Sequence, residues 1–491
     1  MNTRCRAVVV PLLLIAALAS APAQEIDRGS NGAIDCTHLV GWVAGGISSR
    51  RLAHLVEQHG IAFVPGEPLA RQLQSVGAEP VLLTRLRKEH AALGTSTTLC
   101  PAAVISAAAL VHQKRYEAAQ PAFRALLRED QNNAALHFAS GSIFIHQNAW
   151  DDALEEFSQA ARLLPGLAET HSRLSYLFYH SGDVDNALAE ARTALSLDPG
   201  NPEAYKFLGL ALADSGQYEA ALHALSEALA SEPDDAEIYY DLGSTLRDKG
   251  DLPGAVSAYR RAIQLNPNYW QAHNNLGLSL QDEHKLDEAI FEYRTAEKIA
   301  PNEPAIRSNL GASYCEKEDY NAAVSEFTEL FRQYPDWQSG HGCLAKAFMS
   351  KGDYSSAISE LRLAVVHNPT GAAEHRVLGQ ALLLTHDDAA AARELEIAVA
   401  LNPDSAPAHH YLAVAWSNIH KYDLALKENR EALRLDPSAD NHYYLAICLI
   451  KLGRNDEALA ELDTAARIDP GQSLYRARKE ELQKLMRVES R

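Results

Sequence analysis

The chain has 491 residues, which is too long for one compact hydrophobic core and predicts more than one structural unit. Hydrophobic residues make up 47% of the sequence, which is enough to bury a core and excludes a disordered polymer. The formal net charge of −19 argues against nucleic acid and against an anionic membrane surface as general partners.

The first 23 residues have the pattern of a secretory signal peptide. A short basic start, "MNTRCR", precedes the apolar run "AVVVPLLLIAALA", and small residues end the run in an Ala-x-Ala arrangement. We predict cleavage after Ala23 and export to the periplasm or beyond the cell. The alternative is an uncleaved membrane anchor, which the shortness of the run and Pro11 disfavour. No later stretch has the pattern of a membrane span, and residues 24–35 are expected to form a tail.

Residues 36–99 do not follow the pattern of the rest of the chain and predict a small helical domain. "CTHLVGWVA" and "SSRRLAHLVEQH" are the first two predicted helices, and Ser48 and Ser49 are candidate caps of the second. Its apolar face runs through Leu52, Leu55 and Val56. "LARQLQSVGA" and "PVLLTRLRKEHAAL" predict two more helices. The segment is either a domain with its own role or a cap for the array that follows.

Prolines recur every 34 residues from residue 165 onwards. They are Pro165, Pro199, Pro233, Pro267, Pro301, Pro335, Pro369, Pro403 and Pro437, and Pro470 follows after 33. With the proline at position 32, the repeats start at residues 100, 134, 168, 202, 236, 270, 304, 338, 372, 406 and 439, so the sequence holds eleven repeats.

The residue types within each repeat predict a helical hairpin. Position 20 is alanine in all eleven repeats, position 8 is small, and positions 11 and 24 are usually large. Small residues let two helices approach closely while large ones fill the space around the crossing. Because one hairpin cannot bury its own apolar face, the hairpins must stack. Pro121 is expected to kink a second helix, and Ala191 and Asn429, at position 24, to weaken packing in their repeats.

The C-terminal segment, residues 473–491, predicts a capping helix for this stack. Leu474, Leu482, Leu485 and Met486 are expected on its apolar side, and charged residues on the other.

Residues 100–472 resemble the tetratricopeptide repeat, which is known for this period and these residue types. The resemblance implies an all-α, right-handed superhelical solenoid that binds proteins, of the type found in exported bacterial proteins. "HNNLG" and "RSNLG" are similar to repeats of O-linked N-acetylglucosamine transferases, where an asparagine ladder lines the inner groove; Asn275 and Asn309 match it. The sequence shows no transferase domain. We therefore infer an inner groove from this similarity, but not the enzyme activity.

Histidine occupies position 4 in seven repeats and raises the question of metal binding. The seven are His137, His171, His273, His341, His375, His409 and His442. Each is at least one repeat away from the next, too far for ligands of one ion, so we interpret them as half-buried packing residues. The sequence holds no CxxC, HExxH, GxSxG or phosphate-binding glycine loop. It therefore predicts neither an enzyme, nor a cofactor, nor a metal site.

The candidate binding surface is the inner face of the first helices. Positions 2, 5, 9 and 12 lie about 130° around the helix from the packing face. The candidate groove residues are Tyr176, Tyr179, Lys206, Tyr240, Arg247, Asn274, Asn275, Gln281, Asn309 and Arg376. Amides can bind the backbone of an extended peptide, and tyrosines offer rigid contact area. An ordinary solvated helix face would have a similar composition, which is the alternative.

Five cysteines remain after removal of the signal peptide. Cys36 and Cys100 bracket the small helical domain and form a candidate disulfide, which export would permit. Cys315, Cys343 and Cys448 fall within first helices and are expected to be buried thiols.

These patterns predict a non-enzymatic scaffold or adaptor in the bacterial cell envelope that binds extended peptide segments of other proteins, and those segments are expected to contain few acidic residues. The alternative is an accessory subunit of machinery for envelope glycans or surface polymers. Neither the identity of the partner nor the oligomeric state follows from the sequence.

Overall fold

The computed structural model describes residues 33–93 and 99–489 and confirms the predicted all-α repeat architecture. The chain divides into two compact units, Met1–Lys249 and Gly250–Arg491. The predicted signal peptide and most of the predicted tail lie outside the described residues. The described part holds 27 helices and one isolated bridge, in which Ile34 pairs in parallel with Ile61. In this part, no helix is both long and apolar enough to cross a membrane.

The first unit opens with the small helical domain. Its helices are α1 (Cys36–Ala44), α2 (Ser49–His59), α3 (Glu67–Ser75) and α4 (Pro80–Leu93). The Ser48 hydroxyl caps α2 by accepting a hydrogen bond from the Arg51 amide. Ser49, the other predicted cap, instead accepts a hydrogen bond from the Glu79 amide at 2.9 Å, so it ties α2 to the start of α4.

Paired helices of the repeats fill the rest of the first unit. They are α5 (Ala102–His112), α6 (Tyr116–Glu129), α7 (Ala134–His146), α8 (Trp150–Leu163), α9 (Ala168–Ser181), α10 (Val184–Leu197), α11 (Pro202–Asp214), α12 (Tyr218–Ser231) and α13 (Ala236–Lys249). Helix α6 is continuous through Pro121.

The second unit continues the repeats and ends in the predicted capping helix. Its helices are α14 (Leu252–Leu265), α15 (Trp270–Asp282), α16 (Leu286–Ile299), α17 (Pro304–Glu316), α18 (Tyr320–Gln333), α19 (His341–Ser350), α20 (Tyr354–His367), α21 (Ala372–Leu384), α22 (Asp388–Leu401), α23 (Ala406–Asn418), α24 (Tyr422–Leu435), α25 (Ala439–Lys451), α26 (Asn455–Ile468) and α27 (Ser473–Glu489).

In several hairpins of each unit, a glycine at position 8 lies against the large residue at position 24. A Cβ atom added to Gly141 would lie 2.6 Å from the ring of Phe157, and one added to Gly277 would lie 2.6 Å from the ring of Tyr293. The alanines at position 20 are fully buried. At these glycines the two helices are therefore held at a spacing that leaves no room for a methyl group.

The turn between the paired helices has one conformation throughout the array. The residue at position 15 has a positive φ angle in every repeat, for example 80° at Gly182 and 57° at Lys114. Glycine adopts this left-handed conformation without steric cost. At Lys114 and the other non-glycine residues of this position, the conformation strains the backbone.

The capping helix α27 packs through a different face from the predicted one. Tyr475 and Leu482 are buried, whereas Leu474 and Leu485 are about half exposed. Met486 is partly buried against the same core as Leu482. The prediction was wrong for Leu474 and Leu485 because Tyr475, Leu482 and Met486 recur at spacings of seven and four residues and so form the apolar stripe.

The small helical domain covers the first helices of the first two repeats. Helix α1 packs on α5 and α7 so closely that a Cβ atom on Gly41 would lie 2.9 Å from that of Ala135. The Ser142 hydroxyl of α7 donates a 2.7 Å hydrogen bond to the Gly45 carbonyl. The inner face of these two repeats is therefore already occupied by the chain itself.

Two disulfides join elements that are separated in the chain by other helices. Cys36 and Cys100 are bonded with Cα atoms 5.5 Å apart, which links the start of α1 to the segment before α5. Cys315 of α17 and Cys343 of α19 are also bonded, with Cα atoms 6.0 Å apart. The expectation that the latter two are buried thiols was wrong, because stacking brings position 12 of one repeat beside position 6 of the next. Cys448 is a free, buried thiol.

Candidate functional site: an inner groove and an adjoining cleft

Aromatic side chains gather on the inner face of the first unit. The ring of Tyr176, a predicted groove residue, lies 5.2 Å from that of Phe207 and 4.3 Å from that of His180. Trp150, from the neighbouring α8, lies 6.2 Å from Tyr176 and is 41% exposed. Tyr179 contacts His180. This cluster offers a partly exposed apolar surface of the kind that binds extended peptides.

Burial governs the ionisation of this aromatic cluster. Burial and the nearby Asp214 carboxylate raise the pKa of Tyr179 to about 12, so its hydroxyl keeps its proton at neutral pH. Burial and the ammonium group of Lys206 lower the pKa of His180, which keeps its ring neutral. The cluster therefore presents neutral hydrogen-bonding groups rather than charges.

Ion pairs join each repeat of this surface to the next. Arg173 pairs with Glu203 at 2.8 Å, and Lys206 pairs with Glu237 at 2.6 Å. Lys206 is a predicted groove residue, and Glu237 already neutralises it within the fold. Asp241, 3.9 Å from Lys206, is nearly buried, and that burial raises its pKa to about 7.

A cleft of about 520 Å³ separates α2 from the N-terminal ends of α9, α11 and α13. Arg51 of α2 spans it by pairing with Glu169 and, at 3.0 Å, with Asp198. Glu169, at position 2 of its repeat, is only 5% exposed. The sequence could not show this cleft, because it is built between the small helical domain and the repeats.

The predicted groove amides of the second unit form hydrogen bonds with neighbouring side chains. The Asn309 side-chain amide donates a 3.0 Å hydrogen bond to the Asn274 side-chain oxygen, and the Asn274 amide donates to the oxygen of Asn275 at 3.2 Å. Gln281 donates to Glu316 at 2.9 Å and accepts from Ser313 at the same distance. Asn274, Asn309 and Gln281 thereby join adjacent repeats, so the bonding capacity of these amides is partly used within the fold.

The remaining predicted groove residues differ in their surroundings. Tyr240 and Arg247 are half-buried on α13 and take part in contacts within the fold. Arg376 is half-buried on α21 in the second unit. A second group of aromatic rings lies farther along that unit, where His410 is 4.3 Å from Tyr444 and Tyr443 is 5.4 Å from Tyr475.

Each histidine at position 4 binds a glutamate at position 23 of its own repeat. The distances between Nδ1 and the carboxylate oxygen run from 2.6 to 2.8 Å. The pairs are His137–Glu156, His171–Glu190, His273–Glu292, His341–Glu360, His375–Glu394, His409–Glu428 and His442–Glu461. The histidines thus have hydrogen-bonding as well as packing roles. In the described residues, no three potential metal ligands come together.

Models of the tetratricopeptide repeat match residues 107–168, 207–304, 343–406 and 420–482, which together make up more than half of the chain. The chain belongs to the tetratricopeptide repeat family. The narrower likeness to the repeats of glycosyltransferases gains no support from these matches. No curated protein matches the chain at a significant level.

Solved structures of other repeat proteins resemble parts of the chain. The Cut9–Hcn1 structure of the APC/C is 15% identical, with a TM-score of 0.41, and the match covers 88% of this chain and 95% of that one. PilF of Pseudomonas aeruginosa is 20% identical, with a TM-score of 0.39, over 42% of this chain and 94% of that one. YrrB, described as having an unusual peptide-binding site, is 25% identical, with a TM-score of 0.33, over 40% of this chain and 99% of that one.

Proposed function

We propose that this tetratricopeptide repeat protein is a non-enzymatic scaffold that binds an extended segment of a partner protein along its inner face. The observation that carries the proposal is the aromatic cluster of Trp150, Tyr176, Tyr179 and Phe207, with Tyr240 farther along the same unit. Partly exposed aromatic side chains lose little conformational entropy on binding and dominate the energy of many interfaces. Repeats of this family generally bind proteins or peptides.

The site of action that we propose is the bacterial cell envelope or the exterior of the cell. The basic start, short apolar run and small-residue cleavage pattern of residues 1–23 support export. The pairing of four of the five remaining cysteines is compatible with an oxidising compartment, where disulfides persist.

A role in glycan or surface-polymer machinery is the second candidate. The exposed ring of Trp150 beside Tyr176 is an apolar platform on which a sugar ring could stack. Saturable binding of a purified oligosaccharide that is lost in Trp150→Ala would favour this role over peptide binding.

The mature protein, immobilised on a resin, is the reagent for testing the scaffold. Proteins captured from a periplasmic extract are identified, and a peptide from the captured partner is titrated against variants. We expect Tyr240→Ala combined with Arg247→Ala to weaken binding at least tenfold, because truncation of each interface anchor costs about 2 kcal/mol.

The control for this titration is Arg192→Ala combined with Leu163→Ala. Both side chains are exposed on second helices of the same unit. If the two double variants bind the peptide equally well and both remain folded, the inner face is not the binding surface.

A further inference from the structure

The cleft between α2 and the ends of α9, α11 and α13 has more negative than positive side chains. Six carboxylates line it: Glu169, Asp198, Glu203, Glu232, Asp235 and Glu237. Four cationic side chains oppose them, namely Arg50, Arg51, Arg173 and Lys206, and His54 also lines the wall. The walls therefore hold two more acids than cations.

Most of these cations are already neutralised by the fold. Arg51 pairs with Glu169 and Asp198, Arg173 with Glu203, and Lys206 with Glu237. The excess of negative charge falls near Glu232, whose pKa is raised by burial and by the carboxylates of Asp235 and Glu203. A cation placed in the cleft would relieve this repulsion.

One buried carboxylate oxygen in the cleft wall lacks a hydrogen-bond donor. Glu169 receives the Arg51 guanidinium on Oε1, while its Oε2 accepts no hydrogen bond from the residues that the structure describes. Since Glu169 is 5% exposed, leaving this oxygen without a donor is costly. A ligand with positive charge and N–H groups therefore matches the wall in charge and supplies the missing donor, and the Glu169 carboxylate must turn towards the cleft to meet it because Oε2 is closed to solvent.

We propose that this cleft binds a lysine or arginine side chain of a basic segment in the partner protein. The proposal rests on the proposed function, because it names the chemistry of the segment that enters from the inner face. Lysine and arginine supply both the charge and the donors that the cleft lacks. In the described residues, no cluster of potential metal ligands exists to make a metal ion the better occupant.

The probe is a fluorescently labelled, acetylated peptide of alternating lysine and serine, titrated against the mature protein by fluorescence anisotropy. We expect saturable binding that weakens as salt is added. Glu169→Gln should weaken it about tenfold, because a hydrogen bond to a charged group is lost while the shape of the side chain is kept. Glu232→Gln should weaken binding severalfold by reducing the negative charge.

Two further variants make the result specific to the cleft. Asp185→Asn removes an exposed carboxylate from α10, away from the cleft wall, and should leave the affinity unchanged despite the same loss of charge. Arg50→Gln removes a cation from the wall and should tighten binding severalfold. Tighter binding of a glutamate–serine peptide than of the lysine–serine peptide would overturn the proposal, as would equal losses in Glu169→Gln and Asp185→Asn.

This result is separable from that of the scaffold test. A protein that captures a partner through Tyr240 and Arg247 but shows no saturable binding of the lysine–serine peptide retains its proposed function and lacks the basic-segment site. Binding of the lysine–serine peptide that Glu169→Gln weakens, with no effect of the Tyr240 and Arg247 changes on captured partners, places the binding surface in the cleft alone.

Discussion

A histidine at the fourth position of seven repeats joins the two helices of its hairpin, and in five of them it also joins the preceding loop. The Nδ1 of His137 lies 2.6 Å from the Glu156 carboxylate, and its Nε2 lies 3.0 Å from the Gln131 carbonyl oxygen. A neutral imidazole has only one N–H, and a carbonyl oxygen can only accept. Both hydrogen bonds can therefore form at the same time only if the pair of His137 and Glu156 carries an additional proton. The reference is a neutral histidine beside an ionised carboxylate.

This shared proton predicts a pH-dependent contribution to stability. Burial lowers the pKa of His137, but the hydrogen bonds to Glu156 and to the Gln131 carbonyl outweigh it and leave that pKa above its ordinary value of 6.5. A raised pKa in the folded state means that the stabilisation is complete below pH 6.5 and is lost as the pH rises through the folded-state value. We expect Glu156→Gln to cost about 1–2 kcal/mol of unfolding free energy at pH 6 and less at pH 8.

The measurement is urea unfolding of the unchanged protein and of Glu156→Gln at pH 6 and at pH 8, followed by circular dichroism. Glu155→Gln is the matched control, because Glu155 is exposed on the same helix, one residue away. A cost of Glu156→Gln that grows from pH 6 to pH 8 would contradict a protonated pair.

At the scale of the hairpin, the contact between positions 8 and 24 sets the distance between the two helices. Glycine in a helix is ordinarily less stable than alanine by about 1 kcal/mol, because glycine loses more backbone entropy. Gly277 nevertheless stands in the middle of α15, where the Tyr293 ring covers it. Close packing therefore outweighs helix propensity at this position.

We expect Gly277→Ala to destabilise the second unit by about 1–3 kcal/mol, because the added methyl group would lie 2.6 Å from the fully buried Tyr293 ring. Gly342→Ala is the matched control. A Cβ atom at Gly342, within α19, would meet nothing within 4 Å, so this change should stabilise the protein by up to about 1 kcal/mol. Chemical denaturation of the three proteins measures both effects, and stabilisation by both substitutions would disprove the packing argument.

The hairpins could be predicted from the sequence because their packing depends on contacts within one 34-residue period. The pairing of Gly277 with Tyr293 and the position of every second helix follow from that spacing. Contacts between repeats are different, because they depend on how one hairpin sits on the next. The pairing of Lys206 with Glu237 and the disulfide between Cys315 and Cys343 are contacts of this kind, which explains why the sequence did not reveal them.

The groove was predictable only in outline for the same reason. Helix periodicity placed Tyr176 and Tyr179 on the inner face, where the aromatic cluster lies. It could not show that Asn274 and Gln281 bind neighbouring side chains, or that α1 covers the first helices of the first two repeats. The cleft wall formed by α2 depends on a packing between a non-repeating segment and the array, for which the period carries no information.

At the scale of the whole molecule, each compact unit contains one disulfide. Without that disulfide, the elements it joins would be held together only by packing contacts. The bond between Cys36 and Cys100 ties the small helical domain to the first repeat of the first unit. The bond between Cys315 and Cys343 ties two consecutive first helices of the second unit. In a repeat array stability is largely a sum of local terms, so each bond is expected to stabilise chiefly its own unit.

We expect both disulfides in protein secreted into an oxidising compartment, and we expect reduction to destabilise both units. On the loop-entropy model, closing the 64-residue separation is worth about 4 kcal/mol, and closing the 28-residue separation about 3.5 kcal/mol. Peptide mapping without reductant identifies the pairs, and urea unfolding with and without reductant measures the loss of stability.

The variants separate the two bonds. Cys315→Ser combined with Cys343→Ser should remove the effect of reductant from the second unit only. Cys448→Ser changes the free thiol and should leave the sensitivity to reductant intact. Alkylation of all five mature cysteines before reduction would show that neither bond forms and would remove one of the supports for export.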